Sequence, residues 1–196
     1  VNTTSFRTIA TCALAFAAMS TSARADDAHR LLSDAKNFSS LRSFVLQIAS
    51  DSPTRGPRSE TLTYVAPDSL RVDVPSRKFS AVIIGSYLWV RRAPGRWHRA
   101  QLTDASNALD AVRTTSSLAT RIGGKRVRFL GDATLAGKTM RVYEIAGPPR
   151  RALPPAKERI WIGVDDGYPH RIVQRDGAFV STGTYSKFNQ TFSVAQ

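Results

Sequence analysis

Apolar and polar residues alternate with a period of two along most of the chain. In YVAPDSLRVDV (residues 64–74), Leu70, Val72 and Val74 fall on one side and Arg71 and Asp73 on the other. That is the pattern of a strand with one dry and one wet face, entered here through a Pro67-Asp68 turn. Upstream, Phe44, Leu46 and Ile48 alternate against Val45 and Gln47, and Leu62 and Tyr64 open a second strand after the DSPTRGPRS loop. FSAVIIGSYLWV (79–90) reads as two strands around Gly85-Ser86, and APG (93–95) turns the chain again before Trp97. These are the marks of an antiparallel meander.

The alternation resumes at KRVRFLGDATLAG (125–137) and KTMRVYEIAG (138–147), where Met140, Val142 and Glu144 oppose Arg141, Tyr143 and Ile145. RIWIGVDDGYPHRIVQRDG (159–177) predicts a hairpin through Asp165-Asp166-Gly167, and residues 178–194 supply the last strand or strands. Helical spacing occurs twice. In residues 26–38, Ala28, Leu31, Leu32 and Ala35 share a face behind two N-terminal aspartates. In residues 102–124, Asp104 is a candidate N-cap, Ala108, Leu109, Val112 and Leu118 follow, and Gly123-Gly124 ends the segment. Its Ser and Thr content predicts an imperfect or broken helix. The expected fold is mainly β (α+β), with about ten antiparallel strands in a strongly curved, unclosed half-barrel. An N-terminal and a central helix are expected to cover it.

The first 25 residues stand apart. Arg7 precedes the short apolar run IATCALAFAAM (9–19), and Ala23 and Ala25 occupy the −3 and −1 positions of a cleavage site. This is the pattern of a cleaved secretory signal, and the run is too short for a bilayer span of about 20 residues. The expected organisation is therefore a signal peptide over 1–25 and one domain over 26–196, exported to the periplasm. The single cysteine, Cys12, would leave with the signal, so the mature domain would depend on its core and not on disulfides. The formal charge of +13 would fall to +11 on losing Arg7 and Arg24. Such a charge favours anionic partners, among them phospholipid headgroups. Export argues against nucleic acid.

Catalytic signatures are scarce. His29, His98 and His170 lack metal-ligand spacing, and GGK (123–125) lacks the rest of a phosphate loop. No G-x-S-x-G elbow is present. Asp165 and Asp166 read as turn residues. The expectation is a non-enzyme without cofactor or metal; a hydrolase with a site assembled from distant residues is the weakest alternative. Trp89, Trp97 and Trp161 are core anchors or the lining of a binding cavity. Arg91, Arg92, Arg96 and Arg99 around them guard a strand edge or place cations at an apolar mouth.

LTYVAPDSLRVDV, SAVIIGSYLWV and GRWHRAQL together resemble the periplasmic lipoprotein carrier family of LolA, LolB and the mycobacterial lipid-carrying lipoproteins. The closing WIGVDDGYPHRIV and GTYSKFNQTFSV are similar to the family's last strands. The resemblance implies an open barrel with helices as a lid over a hydrophobic cavity that shields acyl chains between membranes. One residue departs from it: Ala66 stands before the strand-end proline, where the carriers keep an arginine.

The expected ligand is a lipid or an acylated lipoprotein, with transient contact to a membrane surface or a membrane-associated donor or acceptor protein. The expected cavity wall and lid are Leu62, Tyr64, Leu70, Val72, Val74, Ile83, Trp89, Trp97, Leu109 and Leu118. The alternative is an envelope-sensing protein-interaction domain with the same fold.

Overall fold

The computed structural model describes residues 26–54, 56–100, 118–149 and 154–194. Helix α1 covers residues 26–34 and is followed by a 3-10 turn at Phe38–Ser40. Six strands come next: β1 (Ser43–Asp51), β2 (Arg58–Val65), β3 (Ser69–Val74), β4 (Phe79–Ile84), β5 (Tyr87–Arg92) and β6 (His98–Ala100). A short helix, α2 (Leu118–Ile122), precedes β7 (Arg126–Leu135), β8 (Lys138–Ala146), β9 (Lys157–Gly163), β10 (Pro169–Asp176) and β11 (Phe179–Ser186).

Among the described residues these eleven strands form one sheet in the order β6-β5-β4-β3-β2-β1-β11-β10-β9-β8-β7. Every neighbouring pair is antiparallel. The first six strands wind outward from the centre. The chain then crosses to the opposite edge and winds back, so that the first and last strands pair in the middle, Leu46 with Tyr185 and Ile48 with Gly183. β6 and β7 stay at opposite ends, and the half-barrel is unclosed. Strand twist and register shifts at Phe129/Gly131 and Pro169/Arg171 bend so wide a sheet.

Register assigns the faces. Phe44, Leu46, Leu62, Tyr64, Leu70, Val72, Ile83 and Leu88 meet across β1 to β5 on the inner, helix-covered face. Tyr143, Ile145, Ile160, Ile162, Ile172 and Tyr185 continue it on the other half. From α1 and the turn after it, Leu31 and Ala35 are buried on this face, while Leu32 is 36% exposed, so the expected apolar stripe is narrower than its spacing implied. Complete burial of Leu31 contributes about 1.5–3 kcal/mol. Phe38 then meets Tyr185 edge-on at 6.0 Å, and Phe44 lies 5.4 Å from Tyr185 and 5.3 Å from Tyr64.

Polar bonds orient α1. The Asp34 carboxylate takes the Arg141 guanidinium and the Tyr143 hydroxyl, and the Asp27 carboxylate accepts the Phe129 amide at 3.1 Å. Asn37 donates to the Asp166 carbonyl at 2.9 Å. The Asp165-Asp166-Gly167 turn is present as expected, and its glycine is required twice over. Gly167 has φ +67, and a Cβ there would stand 3.0 Å from the Asp34 carbonyl oxygen.

Of the expected central helix, the described part is α2, with Leu118 and Ile122 buried on the inner face and a stop at Gly123. Ala108, Leu109 and Val112 lie outside the described residues.

Candidate functional site

The inner face is not packed throughout. Leu46 and Ile48 from β1, Ile172 and Gln174 from β10, and Ser181, Gly183 and Tyr185 from β11 line a cleft of about 200 Å³ beneath Arg121 of α2. Part of its floor is a glycine of β11 in the centre of the sheet. Gly183 pairs with Ile48 on one side and Ile172 on the other, and its missing side chain makes room for Leu46. A Cβ at that position would meet the tip of Leu46 at 3.0 Å.

One wall of the cleft is polar. Arg121 binds Glu158 at 3.0 Å, both side chains 12% exposed, and Gln174 donates to the same carboxylate oxygen at 3.1 Å. The other oxygen of Glu158 is buried without a hydrogen-bond partner among the described residues. A second cleft of about 260 Å³, bordered by Ile145, Lys157, Glu158, Gln174 and Phe179, lies beyond that wall. The Arg121–Glu158 pair stands between the two. The Tyr185 phenol, close to this polar wall, is pushed up to about 12, first by burial and then by Glu158, with Arg121 opposing. It stays a neutral hydroxyl. A roomier groove of about 490 Å³ passes the far ends of β1, β2 and β11, but it is shallow and lined by Ala49, Ser50, Ser59 and Thr182.

The residues expected to line a cavity divide between the faces. Leu62, Tyr64, Leu70, Val72, Ile83 and Leu118 lie together on the inner face, and Val74 is buried at the end of β3. Trp89 and Trp97 do not join them. Trp89 pairs with Val82 and Arg99, opposite in parity to Leu88 and Val90, and therefore lies on the outer face. Trp97 stacks under Arg91, which shares that outer parity, with the guanidinium 4.8 Å from the ring. Trp161 is also outside, opposite Val142 and Arg171. The physical reason is the strict period of two: a strand that sends Leu88 inward sends Trp89 outward. Leu109 lies outside the described residues.

The cleft's own lining, Leu46, Ile48, Ile172, Gly183 and Tyr185, was absent from the expected site. One signal was available, a lone glycine inside a strand pattern, which marks missing side-chain volume or close approach.

Among the described residues no three His, Cys, Asp or Glu side chains converge as a metal site, and no helix is long and apolar enough to cross a membrane. His170 and Asp166 pair at 2.9 Å, but within the β9–β10 turn against Phe188. That pair holds the loop.

No protein-family model and no curated protein matches the sequence. Solved structures do match. The lipoprotein LppX of Mycobacterium tuberculosis aligns at 14% identity over 86% of this chain and 96% of its own, with a TM-score of 0.61. LprF from Mycobacterium bovis aligns at 10% identity over 87% of this chain and 97% of its own, with a TM-score of 0.62. The chain has the fold of these lipoproteins. The half-barrel implied by the sequence resemblance is thus the fold observed. In this LppX-like fold the cleft occupies the face under the helices, and Ala66, the departure from the carrier pattern, packs against the edge of the same inner core.

Proposed function

We propose that the protein is a non-enzymatic carrier that shelters acyl chains of a lipid or lipoprotein on the inner face of its half-barrel, in the periplasm, between membranes. The observation that carries the reading is the cleft on the inner face that Gly183 borders together with Leu46, Ile48, Ile172 and Tyr185. Moving a methylene from water into such a site contributes about 0.8 kcal/mol, enough over several carbons to compete with a bilayer. The described cleft is smaller than the about 300 Å³ at which small-molecule sites begin, so it would seat a segment of one chain. Arg121 and Gln174 at its polar wall suit the carbonyl or anionic end of an amphiphile. The likeness of fold to lipoproteins LppX and LprF supports the reading.

Native mass spectrometry and lipid extraction of protein purified from its own cell envelope test it. A co-purifying lipid or acylated peptide is expected. An empty protein that also fails to bind a fluorescent fatty acid would overturn the reading in favour of a protein-interaction domain.

A further inference from the structure

The outer face carries a second feature that the cleft does not use. From Val74 to Ala100 the chain has six cations, Arg77, Lys78, Arg91, Arg92, Arg96 and Arg99, and no carboxylate. Arg91 and Arg99 lie on the outer face of β5 and β6 with apolar side chains that turn away from the core, while Arg92 ends β5 on the inner parity and Arg77, Lys78 and Arg96 sit in the adjoining turns. Ile84 and Tyr87 face each other on the outer side and are 41% and 47% exposed. Beside them lie Trp89, half-buried, and Trp97. Arg99 stacks on Tyr87 at 4.4 Å and Arg91 on Trp97 at 4.8 Å. The adjoining carboxylates are already engaged: Asp73 binds Arg71 at 2.8 Å and Ser80 at 2.7 Å, and Asp68 accepts from Ser69 at 3.3 Å.

We propose that this outer patch docks on an anionic membrane surface. Three properties select that partner. Tyrosine and tryptophan are the side chains that settle at the headgroup level, apolar body inward and polar tip outward. Arginines beside them are drawn to anionic lipid over a Debye length. The patch also presents an exposed isoleucine at the tip of the β4–β5 hairpin, which suits acyl chains and has no role against a hydrophilic polyanion. Single-stranded nucleic acid fits less well. Its bases need open ring faces, and here Tyr87 and Trp97 each have one face covered by a guanidinium. Because the patch lies on the opposite side of the sheet from the Gly183 cleft, docking leaves the inner face unobstructed, and the inference stands without the carrier reading.

Vesicle co-flotation tests it, using phosphatidylcholine alone and phosphatidylcholine mixed with phosphatidylglycerol. The wild-type chain should bind only the anionic vesicles, with a blue shift of tryptophan fluorescence and loss of binding in high salt. Arg91→Gln with Arg99→Gln should weaken binding by about fivefold per arginine, the ratio expected for one headgroup-level cation. Ile84→Ser with Tyr87→Ser should abolish the blue shift. Arg126→Gln with Arg175→Gln, an equal charge loss elsewhere on exposed positions, should bind as wild type. Circular dichroism confirms that each variant is folded. Equal binding to both vesicle types, or equal loss in both arginine pairs, would overturn the proposal. So would tighter binding of the same patch to a single-stranded oligonucleotide than to the anionic vesicles.

Discussion

The Tyr143 hydroxyl donates to the Asp34 carboxylate, tying a fully buried residue of β8 to the last turn of α1. Arg141, two residues before Tyr143 on the same inner face, binds the other carboxylate oxygen. The C-terminal end of the helix over the half-barrel is thus tied by one acid with two partners from a single strand. Asp34→Ala strands a buried phenol, which costs about 1–3 kcal/mol. A thermal melt should show that loss, and hydrogen exchange should speed up throughout residues 26–34 while β1 and β11 remain protected. Unchanged exchange in α1 would mean that the apolar packing of Leu31 and Ala35, with the Asp27–Phe129 bond, holds the helix without Asp34.

Gly183 controls the volume of the cleft. Gly183→Val places branched methyls against Leu46, which must shift, and gains strand propensity in return. Stability should change by no more than about 1 kcal/mol, because the two effects oppose one another. Binding of a fluorescent fatty acid should fall at least about tenfold, equivalent to about 1.4 kcal/mol. Titration of the probe into both proteins reads the difference. A valine variant that binds as well as the wild type would remove the cleft from the ligand's path.

The Arg121–Glu158 bridge stands between two clefts and is largely shielded from water. Arg121→Ala leaves a poorly solvated carboxylate with one oxygen already unpartnered and should cost about 3 kcal/mol. Arg121→Leu with Glu158→Leu should recover most of that loss, since an apolar pair replaces the ion pair without an orphan charge. The double variant should also take longer-chain probes more tightly than the wild type. Urea denaturation and a chain-length series measure the two effects.

On the outer face, Glu144 is buried amid Arg128 at 3.0 Å, Arg159 at 3.4 Å and Lys157 at 3.6 Å. Burial pushes its carboxyl up, but Lys157, Arg159 and Arg128 together outweigh burial and hold it below the ordinary 4.5. A depressed acid stabilises the fold fully above its unfolded value and loses that contribution as the pH falls through the lower folded value. Glu144→Gln should cost about 1–2 kcal/mol at neutral pH, the arginines being half exposed. The difference from wild type should shrink below pH 4.5. Chemical denaturation across that range measures it.

The alkaline limb has the opposite sign. Burial is the first cause raising the phenols of both Tyr185, to about 12, and Tyr143. Their stabilisation is complete below the ordinary 10.0 and is lost as the pH rises toward 12. In an absorbance titration these two tyrosines should ionise above the ordinary 10.0. Tyr185→Phe should make stability less sensitive to pH over that window.

Local pattern carried most of the strands. Leu70, Val72 and Val74 alternate with Arg71 and Asp73 because a pleated backbone sends successive side chains to opposite faces, a rule written into neighbouring residues. Turn residues at Gly85-Ser86, Pro94-Gly95 and Asp165-Asp166-Gly167 likewise act within a few positions. The three-residue β6 is legible only once its pairing with β5 is known. The order of strands was not local either: nothing near Val45 announces that its partner is Ser186 at the other end of the chain.

The division between sequence and fold runs along that line. The amino-acid sequence by itself determined most of the strands, their two-sided character, a short covering helix beginning at residue 26 and the cation-rich stretch before Ala100, all properties of spacing and composition. Only the tertiary structure decided which parity is inside. It turned Leu62, Tyr64 and Leu70 toward the helices, sent Trp89 and Trp97 to the opposite face, and left a cleft over Gly183. Alternation defines two faces but does not label them, since core and solvent are assigned by what packs across the sheet, here α1 and α2.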